Sequence, residues 1–209
     1  MKHGVHLKLR QKAQKYLAGF KFLIYHIVML RAYRLTSPVS SEFGDAWKLY
    51  KTAFPLDERR PLRCHAEAMQ QEPAFHCYAF YEADSFIGLL FYWEFSTCVY
   101  VEHLAVETAW RAQGYGSQIL HVARQHNKPV ILEIEPVTDA TTELRLHFYQ
   151  KTGYHLLTQV HYQLPYHRHD NALRLLLLSY PRPASQELID SFEHEFSALP
   201  MRYRQTQEP

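Results

Sequence analysis

The stretch with the clearest chemical content runs from Val99 to Gln118, VYVEHLAVETAWRAQGYGSQ. Gly114 and Gly116 stand two residues apart where a connector opens into a helix. Glycine tolerates positive φ and lets a backbone approach a ligand closely. Several backbone N–H groups aimed into one concavity at a helix N-terminus make an anion site, and a pyrophosphate suits it. Arg111, just before the turn, can add charge-assisted hydrogen bonds. A glycine turn can equally serve tight packing alone.

The flanks narrow the choice. A Walker loop needs Gly-Lys-Ser/Thr, whereas Gly116 is followed by Ser117-Gln118. A dinucleotide-binding turn reads GxGxxG directly after its strand. Here the third position is Ile119, and Glu107 to Gln113 separate the turn from the strand. Glu133 and Glu135 do fall about 20 residues further on, where a ribose-binding acid would sit. The strands upstream read as an antiparallel meander, which is wrong for that fold.

Other chemistries find little support. Three cysteines, Cys64, Cys77 and Cys98, show no CxxC spacing, so neither a disulfide framework nor a zinc site follows. They read as reduced, mostly buried thiols in a cytoplasmic protein. Among 14 histidines no HExxH occurs. The run His167-Arg168-His169-Asp170 offers an HxH pair, but two ligands are too few for a metal centre, and it reads as a solvated loop. No metal is expected.

Of 209 residues, 47% are hydrophobic and 21% charged, a soluble globular composition with room for one domain and a sizeable core. The net charge of +2 hides an asymmetry. Eight of the 23 Lys and Arg lie in residues 1–41, which hold no acid; the other 15 face all 21 Asp and Glu, a net of −6. An acidic main domain argues against general nucleic-acid binding.

Residues 1–29 form a basic and apolar extension. Phe22 to Leu30, FLIYHIVML, is too short to span a bilayer, which takes about 20 residues. A packed helix, a membrane-surface segment and a dispensable extension all fit, and the last is favoured because the domain pattern starts right after Met29. Membrane contact is otherwise not expected.

The elements that must hold the glycine turn follow from periodicity. Leu30–Leu35 alternates like a short strand. Ser40 or Ser41 caps a helix to about Phe54 that carries Phe43, Trp47 and Tyr50, and a polar helix follows Arg60-Pro61 to Gln71. Phe75–Tyr81 and Phe86–Phe95 form a hairpin, with a third strand at Cys98–Val106. The turn opens a helix over Gly114–His126, and Val130–Glu135 is a strand. Strand, helix and strand make a βαβ unit, so these two strands should be parallel neighbours. A helix over Thr142–Thr152 ends at Gly153. Tyr154–Tyr162 and Ala172–Tyr180 form a final hairpin. Residues 181–209 hold a Pro-rich linker and an amphipathic helix capped by Ser185. The fold class is α/β, with a mixed, largely antiparallel central sheet and a βαβ unit at the cofactor site.

Arg111-Ala112-Gln113-Gly114-Tyr115-Gly116 matches the Arg/Gln-x-x-Gly-x-Gly/Ala motif of the GNAT superfamily of acyl-CoA-dependent N-acyltransferases. Glu102-His103-Leu104-Ala105-Val106 looks like that family's fourth strand, and Phe148 to Tyr154 resembles its later FYxxxGF motif. The order of elements over residues 30–180 resembles the family's as well.

The resemblance implies acetyl-CoA as acyl donor and an amine acceptor, in a monomer or homodimer. The backbone over Gly114, Tyr115, Gly116 and Ser117 would hold the pyrophosphate, with Arg111, Ala112 and Gln113 beside it. The parallel strands would splay, and the pantetheine arm would pair with backbone over Leu104, Ala105 and Val106. The N–H near Leu104 would polarise the thioester carbonyl. Tyr149 matches the family's tyrosine general acid. The family's Asn and Ala, seven and four residues earlier, are Thr142 and Arg145 here. Acceptor specificity would come from Phe54, Pro55, Asp57, Glu58 and Arg59, with Tyr162 and Tyr166.

An amine attacks a thioester only as the free base, so a carboxylate must take its proton. Glu102 is the first choice: at a side-chain period of two it shares a face with Tyr100 and Leu104. Glu94, Glu133 and Glu135 are rivals. A non-catalytic acyl-CoA-binding module with the same fold is the alternative.

Overall fold

The structure is a computed structural model, described here over residues 30–168 and 170–205. The expectations for residues 1–29, and His169 of the HxH pair, lie outside the described residues.

Among the described residues, eight strands form one sheet: β1 Arg31–Arg34, β2 Phe75–Glu82, β3 Ser85–Glu94, β4 Val99–Val106, β5 Val130–Ile134, β6 His155–Leu156, β7 His161–Gln163 and β8 Leu173–Tyr180. Their order is β1-β2-β3-β4-β5-β8-β6, with β7 also paired to β8. The pair β4–β5 is parallel and the others are antiparallel. The mixed, largely antiparallel sheet and its βαβ unit are as the periodicity predicts.

Among the described residues, five helices cover the sheet: α1 Ser41–Ala53, α2 Leu62–Gln71, α3 Tyr115–Arg124, α4 Ala140–Lys151 and α5 Gln186–Ala198. One face packs under α1, α2 and α5 through Phe43, Tyr50, Ala68, Met69, Phe192 and Phe196. The other packs under α3 and α4 through Ile119, Leu120, Ala123 and Tyr149. The C-terminal helix is thus part of the main core. Phe192 and Phe196 meet Tyr100 of β4 with ring centroids 5.3 and 5.5 Å apart.

Local chemistry sets the helix ends. Ser40 accepts from the Phe43 N–H at 3.2 Å, and Ser185 accepts from the Leu188 N–H at 3.3 Å. The α4 helix starts two residues before the expected Thr142. Asp139 is its N-cap, and Thr142 completes a capping box at N3. Gly153, at φ 90°, ends it.

Two departures from the expected pattern matter, and a third feature follows what the resemblance implies. The strand expected over Tyr154–Tyr162 is interrupted between β6 and β7. Leu157 N–H still bonds the Leu177 carbonyl at 2.9 Å, while His161 already opposes Leu175, so two extra residues loop out. In β4, Phe91 opposes His103 and Tyr92 opposes Val101, leaving Glu102 as the unpaired residue of a β-bulge. Finally, β4 and β5 pair only over Val99–Val101 and Val130–Leu132. Beyond that the two strands part, and β5 continues on β8 alone.

Candidate active site

A cavity of about 790 Å³ runs from the glycine turn along the gap between β4 and β5. At its head, Gly114 is the N-cap of α3 at φ 87°, with no side-chain cap. Ala112 is also left-handed, at φ 60°. The first helical bond runs from Gln118 N–H to the Gly114 carbonyl at 3.3 Å. The N–H groups of Tyr115, Gly116 and Ser117 therefore find no partner among the described residues. They are the orphan donors of a helix start, beside a cavity that Gly114, Gly116 and Ser117 line. Gly116 is needed for a different reason than Gly114. Its φ is not positive, but a Cβ there would come within 3.2 Å of the Phe148 ring of α4.

Leu104, Ala105, Val106, Arg111 and Ala112 line the same cavity, as do Lys151, Glu102 and Tyr149. Orphan amides with Arg111 and Lys151 nearby suit a polyphosphate. Gln113 and Tyr115 do not line it. Gln113 Nε2 donates to the Ala109 carbonyl at 2.9 Å, and the Tyr115 hydroxyl donates to Glu82 at 2.5 Å. Arg111 Nε donates to the Val106 carbonyl at 3.0 Å, so that carbonyl, expected to pair with a ligand, already has a partner.

Tyr149 is buried to 7% exposure, its ring edge-on to Phe148 and Tyr154. It packs in the core and lines the cavity at once. Burial pushes its phenol well up, so it stays protonated at any physiological pH. Its hydroxyl has no hydrogen-bond partner among the described residues.

At the floor, Glu102 departs from the expected geometry. The bulge breaks the period of two, so Glu102 and His103 both face α1 and α2, while Leu104 packs on the opposite side. Arg60 grips the Glu102 carboxylate with both Nη atoms, at 2.9 and 2.7 Å. Trp93 Nε1 donates to it at 3.1 Å, and the Tyr166 hydroxyl donates to it as well. Both side chains of the ion pair are at 0% exposure. Burial, the largest single influence, would raise the Glu102 carboxyl, but the Arg60 guanidinium and the His103 imidazole beside it together hold it well below the usual range. A carboxylate with its lone pairs filled and so low a proton affinity is a poor base. Position makes Glu102 a cavity residue, while its bonding makes it a structural anchor.

The rival carboxylates are engaged too. Glu133 accepts from the Tyr100 hydroxyl at 2.9 Å and lies 2.6 Å from His161 Nε2. His161 also contacts Glu193 of α5 at 2.6 Å. Burial would lower the imidazole, but these two carboxylates prevail and raise it to about 10. Glu135 pairs with Arg145. Glu94 pairs with Lys128 at 3.0 Å and with His126 at 3.1 Å, away from the cavity.

Sequence reasoning missed Arg60, which looked like a helix boundary beside Pro61. No local signal marks its partner, because 42 residues separate Arg60 from Glu102. The resemblance points to Glu58 only as a specificity residue. It ends the one-turn 3-10 segment Leu56–Glu58 and lines the cavity. His103 Nε2–H donates to its backbone carbonyl at 3.0 Å. Burial pushes its carboxyl up to about 7, against the pull of Arg145.

Comparison with known proteins agrees with this geometry. The family model for the acetyltransferase (GNAT) domain matches residues 73–156, which reach from before β2 to the end of β6. YjbC of Bacillus subtilis (strain 168), named as an acetyltransferase, is 33% identical over 100 residues, or 47% of this chain and 50% of YjbC. The chain thus matches about half the length of that relative. A solved structure from Bacteroides thetaiotaomicron, named as an acetyltransferase of the GNAT family, is 27% identical with a TM-score of 0.74. That match covers 81% of this chain and 97% of the other. The ribosomal-protein-S18-alanine N-acetyltransferase of Escherichia coli shares the fold at 14% identity and a TM-score of 0.53, over 77% of this chain and 99% of the other. The open helix start, the parted parallel strands and these matches agree: residues 73–156 match the GNAT acetyltransferase domain, and the fold is that of the GNAT acetyltransferases.

Proposed function

We propose that this chain is an N-acetyltransferase that uses acetyl-CoA and acetylates a primary amine of a small molecule or peptide by direct attack. The observation that carries this is the continuity of one cavity, from the unpaired amides of Gly116 and Ser117 at the start of α3, along the open edge of β4, to Tyr149.

When bound, acetyl-CoA supplies an acetyl group as a thioester open to a neutral amine. The amides of Tyr115, Gly116 and Ser117 hold the pyrophosphate, with Arg111 beside them. The edge of β4 beyond Val101, which β5 leaves unpaired, orients the pantetheine arm, and the N–H near Leu104 donates toward the carbonyl. Tyr149 donates its proton to the departing thiolate; a buried phenol keeps that proton until a strong base forms beside it.

One observation favours a non-catalytic module: the carboxylate on β4 is committed to Arg60. A thiol-release assay with acetyl-CoA and a panel of primary amines separates the two readings. The enzyme reading expects acceptor-dependent thiol release that falls about 100-fold in Tyr149→Phe, with acetyl-CoA affinity kept. Tight acetyl-CoA binding with no release for any amine favours the module.

A further inference from the structure

Resting on the acetyltransferase reading, a question of proton balance remains at the floor of the cavity. An acceptor amine arrives as an ammonium ion at neutral pH, and some group in the cavity must take its proton before it can attack. Four carboxylates line the cavity: Glu58, Glu102, Glu133 and Glu135. Glu102 is gripped by Arg60, Trp93 and Tyr166. Glu133 is held by Tyr100 and His161, and Glu135 is paired with Arg145. The Glu58 carboxylate alone has no ion-pair or hydrogen-bond partner among the described residues.

Its mounting suits a working group. The 3-10 turn that carries it is tied to β4 through the bond from His103 to the Glu58 carbonyl. His103 is itself wedged between the rings of Tyr50 and Phe54, with centroids 4.7 and 4.6 Å away. The charges acting on the Glu58 side chain are Arg145 from α4, Glu133 from β5 and its neighbour Asp57. Arg145 and Glu133 are themselves cavity-lining, and Glu58 lines the same cavity as Tyr149.

We propose that Glu58 is the general base of this acetyl transfer, taking the proton of the acceptor ammonium directly or through one water. The neutral nitrogen then forms its bond to the acetyl carbon as the carbon–sulfur bond breaks, and Tyr149 protonates the sulfur. The second nitrogen proton restores Tyr149 through solvent in the cavity, and Glu58 releases its own, so one proton leaves per turnover. A group ionising near neutrality has the proton affinity this task needs, which Glu102 lacks. An acidic residue at this end also favours acceptors that carry positive charge.

The test pairs kinetics with a readout that needs no turnover. Thiol release from acetyl-CoA is followed against pH with the best amine of a panel that includes a polyamine, an arylalkylamine and a peptide α-amine. In parallel, the side-chain carboxyl resonances of ¹³C-glutamate-labelled protein are titrated by NMR. The expectation is a wild-type kcat/KM that rises through an inflection near the value at which burial sets Glu58, about 7. In Glu58→Gln the rate falls about 100-fold, the inflection disappears and one carboxyl titration near neutrality is lost. Glu58→Asp keeps the inflection at a reduced rate. Glu58→Gln should fold at least as well as the wild type, because its carboxylate bonds nothing and is penalised by burial. An unchanged rate and pH profile in Glu58→Gln overturns the proposal, as does the absence of any carboxyl titrating near neutrality. If that carboxyl titrates but no amine releases thiol, the acetyltransferase reading fails and the base fails with it.

Discussion

The two ends of the cavity are built on opposite principles. At the head, three amides at the start of α3 are left without partners, and the turn carries two left-handed residues, Ala112 and Gly114. At the floor, Arg60, Glu102, Trp93, Tyr166 and Gln163 are joined in one hydrogen-bonded network that fills the Glu102 carboxylate, with Gln163 Nε2 donating to the Tyr166 hydroxyl at 3.0 Å. Unpaired polar groups beside a cavity are ready for a ligand. Paired buried charges are ready for nothing except holding elements together. The contrast separates binding from scaffolding within a single cleft, and Glu102 falls on the scaffolding side despite its place in the fourth strand.

The floor should be where stability is most exposed to mutation. Arg60→Met leaves Glu102 as a buried charge with its main partner gone, a change that costs about 3–5 kcal/mol. Urea unfolding measures it directly. The double variant Arg60→Met/Glu102→Leu removes both charges and should recover much of the loss, since buried ion pairs replaced by apolar residues are often neutral. A single variant that loses less than about 1 kcal/mol would put Glu102 back among the free groups and erase the contrast.

A smaller effect is expected at His161, which joins β7 to Glu133 of β5 and Glu193 of α5. Its folded-state pKa, about 10, lies above the ordinary histidine value. The folded protein therefore binds the extra proton more tightly than the unfolded chain. That stabilisation is fully present below about pH 6.5, the unfolded value. It is lost as pH rises toward 10. Thermal melts from pH 6 to 10 should show a decline that is shallower in His161→Gln. Equal slopes would mean that the imidazole is not held as a cation, and the pinning of α5 would then rest on its buried Ile189, Phe192 and Phe196 and on the bonds from Ser96 to Glu195.

Much of this was legible in the sequence, and the parts that were not share a cause. The strands, the helix caps at Ser40 and Ser185, the βαβ unit and the glycine turn are local patterns, and local spacing predicts them. The bulge at Glu102 is not local. It arises from how β4 pairs with β3, and it turns Leu104 to the face opposite Glu102. The Arg60 clamp and the His161 bridge join residues 42 and 32 positions apart, distances over which periodicity carries no information. Gly116 shows the same limit in milder form: its presence is visible, but the Phe148 ring that demands it comes from another helix. Asp139 is an instance of misread local chemistry, for the cap and its Thr142 partner were both in view.

The central claim is that the open head of the cavity binds acetyl-CoA while the closed floor leaves the proton chemistry to other residues. Thermal melting of the wild type and of Gly116→Val, with and without acetyl-CoA, tests it most directly. A branched side chain at 116 presses on Phe148 and fills space beside the three free amides. The account predicts that acetyl-CoA raises the melting temperature of the wild type, as any ligand specific to the folded state must, and that Gly116→Val loses most of that shift. No shift in the wild type at millimolar acetyl-CoA, or an equal shift in both proteins, would contradict it.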